Sequence, residues 1–290
     1  MSTPAPAIAL VPALLPDTEA ISAIVRLALA EDVGRGDLTT EATAPPGARA
    51  VAEIRQKQEG VLCGLPVVER VFRAVDPAVQ VLALAEEGSW GDRRVVARIE
   101  GSARAVLIGE RTALNFLGRL SGVATMSRRA AQRVVGTSTR VLDTRKTTPG
   151  HRALEKYAVR VGGCHNHRGG LDDGILIKEN HIRAAGGITA AVSAALRRAA
   201  PMQQVEVEVT TLAELDEAIA AGAHVVLVDN AGLEGLRAAV ARAAGRVRLE
   251  ASGGVTLATL AEVARTGVDY VSLGALTHSA GSLDFSLIVL

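Results

Sequence analysis

Residues 204–254 read QVEVEVTTLAELDEAIAAGAHVVLVDNAGLEGLRAAVARAAGRVRLEASGG. Three runs of strand length are separated there by two Ala-rich runs with the 3.6-residue period of a helix. The alternation extends over the chain from about residue 139, with strands predicted at 139–142, 174–177, 204–209, 224–228, 246–249 and 268–273 and helices at 188–199, 212–221, 233–244 and 257–266. Six such strands predict a parallel sheet, and at this number a barrel or near-barrel is favoured over an open doubly wound sheet.

The first half of the chain has a different period. Short alternating stretches at 49–54, 79–84 and 94–99 are parted by Gly and Pro clusters, which is typical of an antiparallel sheet with one solvated face. Helical patterns at 20–31 and 103–120 flank them. We therefore expect an α+β first half before the barrel.

The composition limits the classes of function. The chain has 290 residues and a net charge of +1, so no general attraction to nucleic acid or to an anionic membrane is expected. Two cysteines, Cys63 and Cys164, make no disulfide framework and indicate a cytoplasmic protein. No run of 18 apolar residues predicts a transmembrane helix. The apolar start is broken by Pro6 and Pro12, so residues 1–18 are interpreted as a flexible tail rather than an export signal.

Lysine is scarce among the basic residues. Only Lys57, Lys146, Lys156 and Lys178 are lysines among 32 Lys and Arg, and three of them fall between 146 and 178. A lysine in so arginine-rich a chain is expected where a compact ammonium is needed. The scarcity therefore directs attention to this segment.

Every predicted barrel strand ends in charged, hydroxyl or glycine residues. The endings are Val-Leu-Asp-Thr-Arg-Lys-Thr-Thr (141–148), Ile-Leu-Ile-Lys-Glu-Asn (175–180), Val-Glu-Val-Glu-Val (205–209), Val-Leu-Val-Asp-Asn (226–230), Leu-Glu-Ala-Ser-Gly-Gly (249–254) and Val-Ser-Leu-Gly-Ala (271–275). Active sites of such barrels lie at the carboxyl ends of the strands. The pattern predicts a functional face there.

The residue types at this face predict a polyanionic substrate. Eight Arg and Lys lie between Arg140 and His181 against five acids, and Arg and Lys are the side chains that bind carboxylate and phosphate. We assign function to Arg145, Lys146 and Lys178, which stand at strand ends. The helically spaced Arg152, Lys156 and Arg160 are interpreted as surface charges.

Acids and glycines follow the later strands. Glu208 and Asp229 suit ribose hydroxyls or a hydrated Mg²⁺, although Glu206 shares a strand face with Glu208 and spacing alone leaves that choice open. The endings 252–254 and 273–275 supply glycines at the usual phosphate site of such barrels.

Two other chemistries have little support. Cys164, His165 and His167 match no standard zinc spacing, so Asn166-His167-Arg168 is interpreted as an anion-binding loop. No GxSxG motif surrounds a serine, and no GxGxxG motif follows the first barrel strand, which disfavours a serine hydrolase and a dinucleotide-binding fold.

At these residues the chain resembles the quinolinate phosphoribosyltransferase family. The matching stretches are Glu-Asp-Val-Gly-Arg-Gly-Asp-Leu-Thr-Thr (31–40), Glu-Arg-Thr-Ala-Leu-Asn-Phe-Leu-Gly-Arg-Leu-Ser-Gly (110–122), Asp-Thr-Arg-Lys-Thr-Thr-Pro-Gly (143–150), Asn-His-Arg-Gly-Gly-Leu (166–171), Leu-Ile-Lys-Glu-Asn-His (176–181), Val-Glu-Val-Glu-Val (205–209) and Ala-Ser-Gly-Gly (251–254). The resemblance implies an α/β fold with an N-terminal α/β sandwich domain at 19–120 and an incomplete, open α/β barrel at 121–275. Residues 276–290 would pack back on the first domain.

The resemblance also implies site residues. Arg111 from a neighbouring subunit, with Arg145, His167, Arg168 and Lys178, would surround the two carboxylates of quinolinate. Lys146, beside Thr144, would lie close to phosphoribosyl pyrophosphate. Glu208 and Asp229 would hold its ribose and Mg²⁺, directly or through water. The phosphate would be bound by the two glycine-containing endings, namely Ser252, Gly253, Gly254, Leu273, Gly274 and Ala275.

The implied enzyme is a homodimer or higher homo-oligomer that transfers phosphoribosyl to quinolinate with decarboxylation, giving nicotinate mononucleotide for NAD biosynthesis. Lys146, Lys178, Glu208 and Asp229 would be its catalytic residues. Three alternatives stay open at this point: a phosphoribosyltransferase of the same fold acting on another base (or a molybdate-transport-associated barrel protein), a Schiff-base aldolase using Lys178, and a non-catalytic anion-binding module.

Overall fold

The computed structural model of the chain describes residues 15, 16 and 18–290. The predicted tail therefore lies almost entirely outside the described residues. The helices are α1 Thr18–Val33, α2 Leu38–Thr43, α3 Leu65–Val75, α4 Ala103–Arg133, α5 Arg152–Gly162, α6 Glu179–Ala185, α7 Ile188–Arg198, α8 Leu212–Ala220, α9 Gly232–Ala243, α10 Leu260–Ala264 and α11 Ala275–His278. The strands are β1 Arg49–Gln56, β2 Gly60–Val61, β3 Gln80–Ala83, β4 Trp90–Gly91, β5 Arg94–Ser102, β6 Arg140–Leu142, β7 Ile175–Ile177, β8 Val205–Val209, β9 Val225–Asp229, β10 Arg248–Ser252, β11 Tyr270–Ser272 and β12 Phe285–Val289.

The described residues form two compact units that do not follow chain order. The barrel unit contains 129–146 and 164–275, and the N-terminal unit contains the described residues up to 128 together with 147–163 and 276–290. Helix α5 and strand β12 thus belong to the N-terminal unit although they come late in the chain. No helix among the described residues combines the length and hydropathy that crossing a bilayer requires.

The N-terminal unit is built on a four-stranded sheet in the order β12-β1-β5-β3, with every pair antiparallel. In β1, Ala52 and Ile54 are fully buried while Arg49 and Val51 are exposed, which is the alternation of a sheet with one solvated face. The strands predicted at 49–54, 79–84 and 94–99 are confirmed as β1, β3 and β5.

Close backbone approaches hold the part of the long helix α4 up to residue 128, which belongs to the same unit. A Cβ atom added at Gly122 would overlap the carbonyl oxygen of Gly281, and one added at Gly162 would overlap that of Ala124. These glycines are required for space, because neither has a positive φ angle.

Replacing Gly122 with alanine is expected to destabilise the protein by about 1–3 kcal/mol, because the added methyl group meets backbone atoms that cannot rotate away. The matched control is Gly281→Ala, since a Cβ there meets nothing within 4 Å. Urea unfolding of the two variants measures the difference. Equal stability of the two variants would contradict the close approach.

The barrel unit contains a six-stranded sheet in the order β6-β11-β10-β9-β8-β7, and its described pairs are parallel. The predicted six parallel strands are confirmed. Strands β6 and β7 stand at the two ends of this order, so within the described residues the sheet is an open barrel. The predicted helices correspond to α7, α8, α9 and a shorter α10.

The structure adds one helix that was not predicted and corrects one interpretation made from the sequence. Helix α6 was not predicted, because none of its residues is buried and it therefore lacks an apolar period. Lys156, interpreted as a surface charge, is only 8% exposed within α5. Its neighbours Leu154 and Tyr157 are also buried, so a four-residue spacing of charges did not mark the solvated face of this helix.

Candidate active site

A cavity of about 290 Å³ opens at the carboxyl ends of the barrel strands. All of its lining residues belong to the barrel unit: Thr144, Arg145, Lys146, His167, Arg168, Leu176, Lys178, Leu227, Glu250, Ser252 and Ser272. Seven of these were predicted from the sequence, namely Thr144, Arg145, Lys146, His167, Arg168, Lys178 and Ser252. The structure therefore brings residues that are distant along the chain to one cavity at the strand ends.

The two acids of β8 reach the same face at different depths. Lys178 Nζ lies 3.0 Å from Glu208 Oε2, and the Glu208 side chain is 19% exposed. Glu206, two residues earlier, is buried, and its Oε2 lies 3.1 Å from His167 Nε2. Of the pair that spacing left open, Glu208 is thus the solvent-accessible acid and Glu206 the buried one.

Asp229 ends strand β9, where it is paired in register with Ser252 of β10. Its Oδ2 accepts a hydrogen bond from Asn230 Nδ2 at 2.6 Å. Glu208 and Asp229 thus come from adjacent strands, β8 and β9. Their oxygen atoms are the donor type that Mg²⁺ prefers.

The loop at 166–168 is fixed to the end of β6 by a buried acid. Asp143 is fully buried and accepts hydrogen bonds from Asn166 Nδ2 at 2.6 Å and from the His167 amide at 2.8 Å. Arg168 donates from Nη1 to the carbonyl of Gly174 at 2.9 Å. Burial, and then the charge of Arg145, lower the pKa of Arg168 from its ordinary value. The guanidinium groups of Arg145 and Arg168 therefore repel each other. An anion bound between them would relieve this repulsion.

Glu250 is a cavity residue that sequence reasoning missed. It is 1% exposed, and its Oε2 lies 3.6 Å from His167 Nε2. Burial and the neighbouring Glu206 raise the pKa of Glu250 to about 8, which favours its protonated form. The available signal was an acid in the middle of the apolar run Leu249-Glu250-Ala251, because buried parallel strands are otherwise continuously hydrophobic.

The raised pKa of Glu250 makes the free energy of unfolding depend on pH. The pKa of Glu250 is higher in the folded protein, about 8, than its ordinary value of 4.5, so the folded state retains a proton that the unfolded state loses. The contribution of Glu250 to stability is therefore fully present below pH 4.5 and declines as pH rises to about 8. In Glu250→Gln this part of the decline is expected to be absent, which denaturant unfolding at a series of pH values measures. Parallel pH profiles for wild type and variant would contradict the raised pKa.

A second cavity, of about 190 Å³, lies beyond the ends of β9 and β10 and is lined in part by Ser252, Gly253 and Gly254. Gly253 has a φ angle of +89°, and a Cβ atom added there would overlap the Asn230 side chain. The positive φ angle favours glycine at this position, and a larger residue would also have to displace the end of the Asn230 side chain. Ser252 lines both cavities.

Of the ending 273–275, the structure shows the main-chain partner of Leu273, and the phosphate role of Gly274 and Ala275 stays a prediction. Leu273 is 2% exposed, and its amide donates to the carbonyl of Leu142 at 2.9 Å, so that N–H is occupied within the sheet. Gly274 follows β11, and Ala275 begins α11. At the end of β11 it is Ser272 that lines the first cavity.

Two remaining candidates are not among the residues that line this cavity. Arg111 is an exposed residue of α4 in the N-terminal unit, and its predicted role concerns a neighbouring subunit. Cys164 is 3% exposed, and its thiol is not part of a disulfide. The group of side chains that could hold a metal ion within the described residues is His167, Glu206 and Glu250, rather than the Cys164 cluster considered from the sequence.

The comparisons with known proteins agree with this geometry. The C-terminal domain model of quinolinate phosphoribosyl transferase matches residues 123–288, and the N-terminal domain model matches residues 37–121. The chain is 45% identical over 258 residues to a probable nicotinate-nucleotide pyrophosphorylase [carboxylating] of Bacillus subtilis, covering 89% of each chain. It is 43% identical to the nicotinate-nucleotide pyrophosphorylase [carboxylating] of Mycobacterium leprae, covering 91% of this chain and 95% of the relative.

A solved structure shows the same fold. NadC from Streptococcus pyogenes has a TM-score of 0.90 and 41% identity, covering 94% of this chain and 98% of that one. The resemblance and the α/β fold class expected from the sequence are thus confirmed. With both family models matched over consecutive parts of one chain, the protein belongs to the quinolinate phosphoribosyltransferase family.

Proposed function

We propose that the protein transfers the phosphoribosyl group of phosphoribosyl pyrophosphate to the ring nitrogen of quinolinate, with release of pyrophosphate and CO₂ and formation of nicotinate mononucleotide. The observation that carries this proposal is the convergence of Arg145, Lys146, Arg168 and Lys178 on one cavity. Four cations at one wall match two substrates that together carry two carboxylates and several phosphate groups.

In the first step a bond forms between the pyridine nitrogen and C1 of the ribose, while the bond from C1 to pyrophosphate breaks. The transition state has oxocarbenium character, because the leaving group departs with its electron pair. The 2-carboxylate then leaves as CO₂, and the electron pair left on the ring carbon takes up a proton. No covalent enzyme intermediate is required, so the protein positions two polyanions and stabilises the charge that develops.

The residues divide this work by position. Arg145 and Arg168 present planar guanidinium groups suited to the carboxylates of quinolinate, and Lys146 and Lys178 present point charges. Lys146 is exposed at the end of β6, where its ammonium would stabilise the departing pyrophosphate. Glu208, paired with Lys178 at 3.0 Å, would accept hydrogen bonds from the ribose hydroxyls.

Mg²⁺ is part of the proposal. Glu208 and Asp229 supply carboxylate oxygens from adjacent strands, a donor set that fits this ion either directly or through water. When bound, the ion would neutralise charge on the pyrophosphate. The glycines at 253 and 254 would let the main chain approach the 5′-phosphate in the second cavity.

A homodimer or higher homo-oligomer completes the proposed site. Arg111 is exposed on α4, and its guanidinium would be available to the quinolinate carboxylates of a neighbouring subunit. Mixing an Arg111→Ala variant with a Lys146→Ala variant tests this arrangement. Some hybrid dimers would regain one intact site, so activity should reappear on mixing only if Arg111 acts in trans.

The direct test is an assay of the purified protein with quinolinate, phosphoribosyl pyrophosphate and Mg²⁺, measuring nicotinate mononucleotide and CO₂. Turnover that EDTA abolishes and Mg²⁺ restores is the expected result. Use of nicotinate with no use of quinolinate would overturn the proposal and favour a paralogous phosphoribosyltransferase. Binding of phosphoribosyl pyrophosphate without turnover would favour the anion-binding module.

The ion pair of Lys178 weighs against a Schiff-base aldolase. An ammonium group 3.0 Å from a carboxylate has no lone pair to attack a carbonyl carbon. Borohydride trapping with carbonyl substrates is accordingly expected to leave the protein unlabelled.

A further inference from the structure

Two buried carboxyl groups lie directly beneath the imidazole of His167. Glu206 comes from β8 and Glu250 from β10, and their side chains are only 9% and 2% exposed. Their Oε2 atoms lie 3.1 Å and 3.6 Å from His167 Nε2. The Oε1 atom of each is buried and has no hydrogen-bond partner. Burying two acids together is costly, and the proposed chemistry does not use either of them.

The imidazole is fixed at both ring nitrogens. Its Nδ1 accepts a hydrogen bond from the Arg168 amide at 2.7 Å, so the ring proton is on Nε2, which faces the two carboxyl groups. The His167 amide is in turn held by Asp143 Oδ1 at 2.8 Å. The ring therefore links the main chain of the loop 166–168 to β8 and β10, the two strands on either side of β9.

The surroundings of Glu250 are strongly charged. Within its reach are Glu206 from β8 and His167 from the loop after α5, with Ser272 of β11 as a hydrogen-bond partner. The same cavity is lined by the cations Arg145 and Lys146 after β6, Arg168 in the loop and Lys178 after β7. When Glu250 is protonated, the buried pair Glu206 and Glu250 carries less negative charge. The four cations of the cavity are then more available to a bound dianion.

We propose that Glu250 is a positioning residue for substrate binding: with Glu206 it holds the His167 ring, and through it the Arg168 main chain, at the cavity wall that receives the carboxylates of quinolinate. This inference rests on the proposed function. It assigns a role to a buried acid that the proposed chemistry does not use.

The same three side chains could in principle hold a metal ion, since their ligand atoms lie within 4.8 Å of one another. The hydrogen bond from the Arg168 amide to Nδ1 argues against this, because the proton it places on Nε2 occupies the position a metal would need. Zn²⁺ titration by calorimetry is expected to show no tight site. Submicromolar binding of Zn²⁺ that Glu250→Gln removes would overturn the positioning role.

The kinetic test compares Glu250→Leu with the conservative Glu250→Gln in the assay described above, with Glu234→Leu as an exposed control on α9. Glu250→Leu should raise the KM for quinolinate by about tenfold or more and leave the KM for phosphoribosyl pyrophosphate unchanged. Glu250→Gln should rescue the quinolinate KM to within about threefold of wild type at pH 7, because it keeps a neutral polar group. Equal effects on both KM values, or no rescue by glutamine, would overturn the proposal.

The pH profile adds a result that a purely structural role would not give. In wild type the KM for quinolinate should rise above about pH 8, where Glu250 loses its proton. In Glu250→Gln this rise should be absent, and its persistence would contradict the role of the proton.

Nitrogen NMR of histidine-labelled protein tests the positioning role of Glu250 without an activity measurement. His167, assigned with a His167→Asn variant, should show the neutral tautomer protonated at Nε2 in wild type and in Glu250→Gln, and an altered state in Glu250→Leu. If the protein does not use quinolinate, the proposed function fails while this spectrum still tests the contact. An unchanged His167 signal in Glu250→Leu would overturn the positioning role.

Discussion

Replacement of Lys146 by alanine is expected to lower kcat/KM by about 10²–10³-fold, the usual cost of removing one group that stabilises developing charge. Lys146 stands at the end of β6 on the wall of the cavity, where three other cations converge. Its ammonium is the point charge proposed to face the departing pyrophosphate. Because the side chain is exposed, its removal leaves no buried hole and the fold should be kept.

The control is Lys57→Ala. Lys57 is 55% exposed in the N-terminal unit, and its Nζ lies 4.0 Å from Asp284, so its loss should change neither activity nor stability measurably. Steady-state kinetics with circular dichroism of both variants separates loss of function from loss of structure. Turnover of Lys146→Ala close to that of wild type would remove this lysine from the proposed site.

Replacement of Glu155 by alanine is expected to destabilise the protein by about 3–5 kcal/mol, the cost of breaking a buried ion pair from one side. Glu155 is fully buried in α5 and accepts hydrogen bonds from Arg119 Nε at 3.0 Å and Nη2 at 2.6 Å. It also accepts from the amide of Thr148 at 3.0 Å and its hydroxyl at 2.8 Å. The variant leaves the Arg119 charge without its carboxylate.

Urea unfolding measures this loss, and Glu19→Ala is the matched control. Glu19 also pairs with an arginine, Arg26, at 2.8 Å, but the two side chains are 75% and 61% exposed. Such surface pairs contribute about 0–1 kcal/mol. A loss of less than about 1 kcal/mol of unfolding free energy in Glu155→Ala would contradict this prediction. It would mean that the carbonyls of Thr277 and Ala280, which already accept hydrogen bonds from Arg119, are sufficient for its charge.

Much of the barrel could be predicted because its signal is local. Strand β8 is preceded and followed by helices of clear period, and the carboxyl-end rule then placed Arg145, Lys146 and Lys178 at one face. The lysine scarcity pointed correctly to Lys146 and Lys178, which line the cavity. The four-residue spacing of Arg152, Lys156 and Arg160 misled at Lys156, because the sequence does not show which elements cover α5.

What the sequence could not reveal depends on contacts between distant residues. Glu250 was visible only as an acid in an apolar run, and its partner His167 belongs to a loop far from it in the chain. Arg111 was singled out by resemblance alone, since an exposed helical arginine carries no local signal. The membership of α5 in the N-terminal unit is likewise set by tertiary contacts, such as the hydrogen bond from the Tyr157 hydroxyl to Glu87.

The pairing of β12 with β1 affects the order of folding during synthesis. Ala52 is bonded in register with both Ile99 and Val289, so one neighbour of this strand is made early and the other only after the whole barrel sequence. A ribosome adds about 5–20 residues per second, and domains generally fold as they emerge. The barrel strands therefore leave the ribosome while β1 still has an unpaired edge. The sheet of the N-terminal unit is therefore begun first and completed last. Until β12 is synthesised, the exposed edge of β1 needs protection from pairing with other chains.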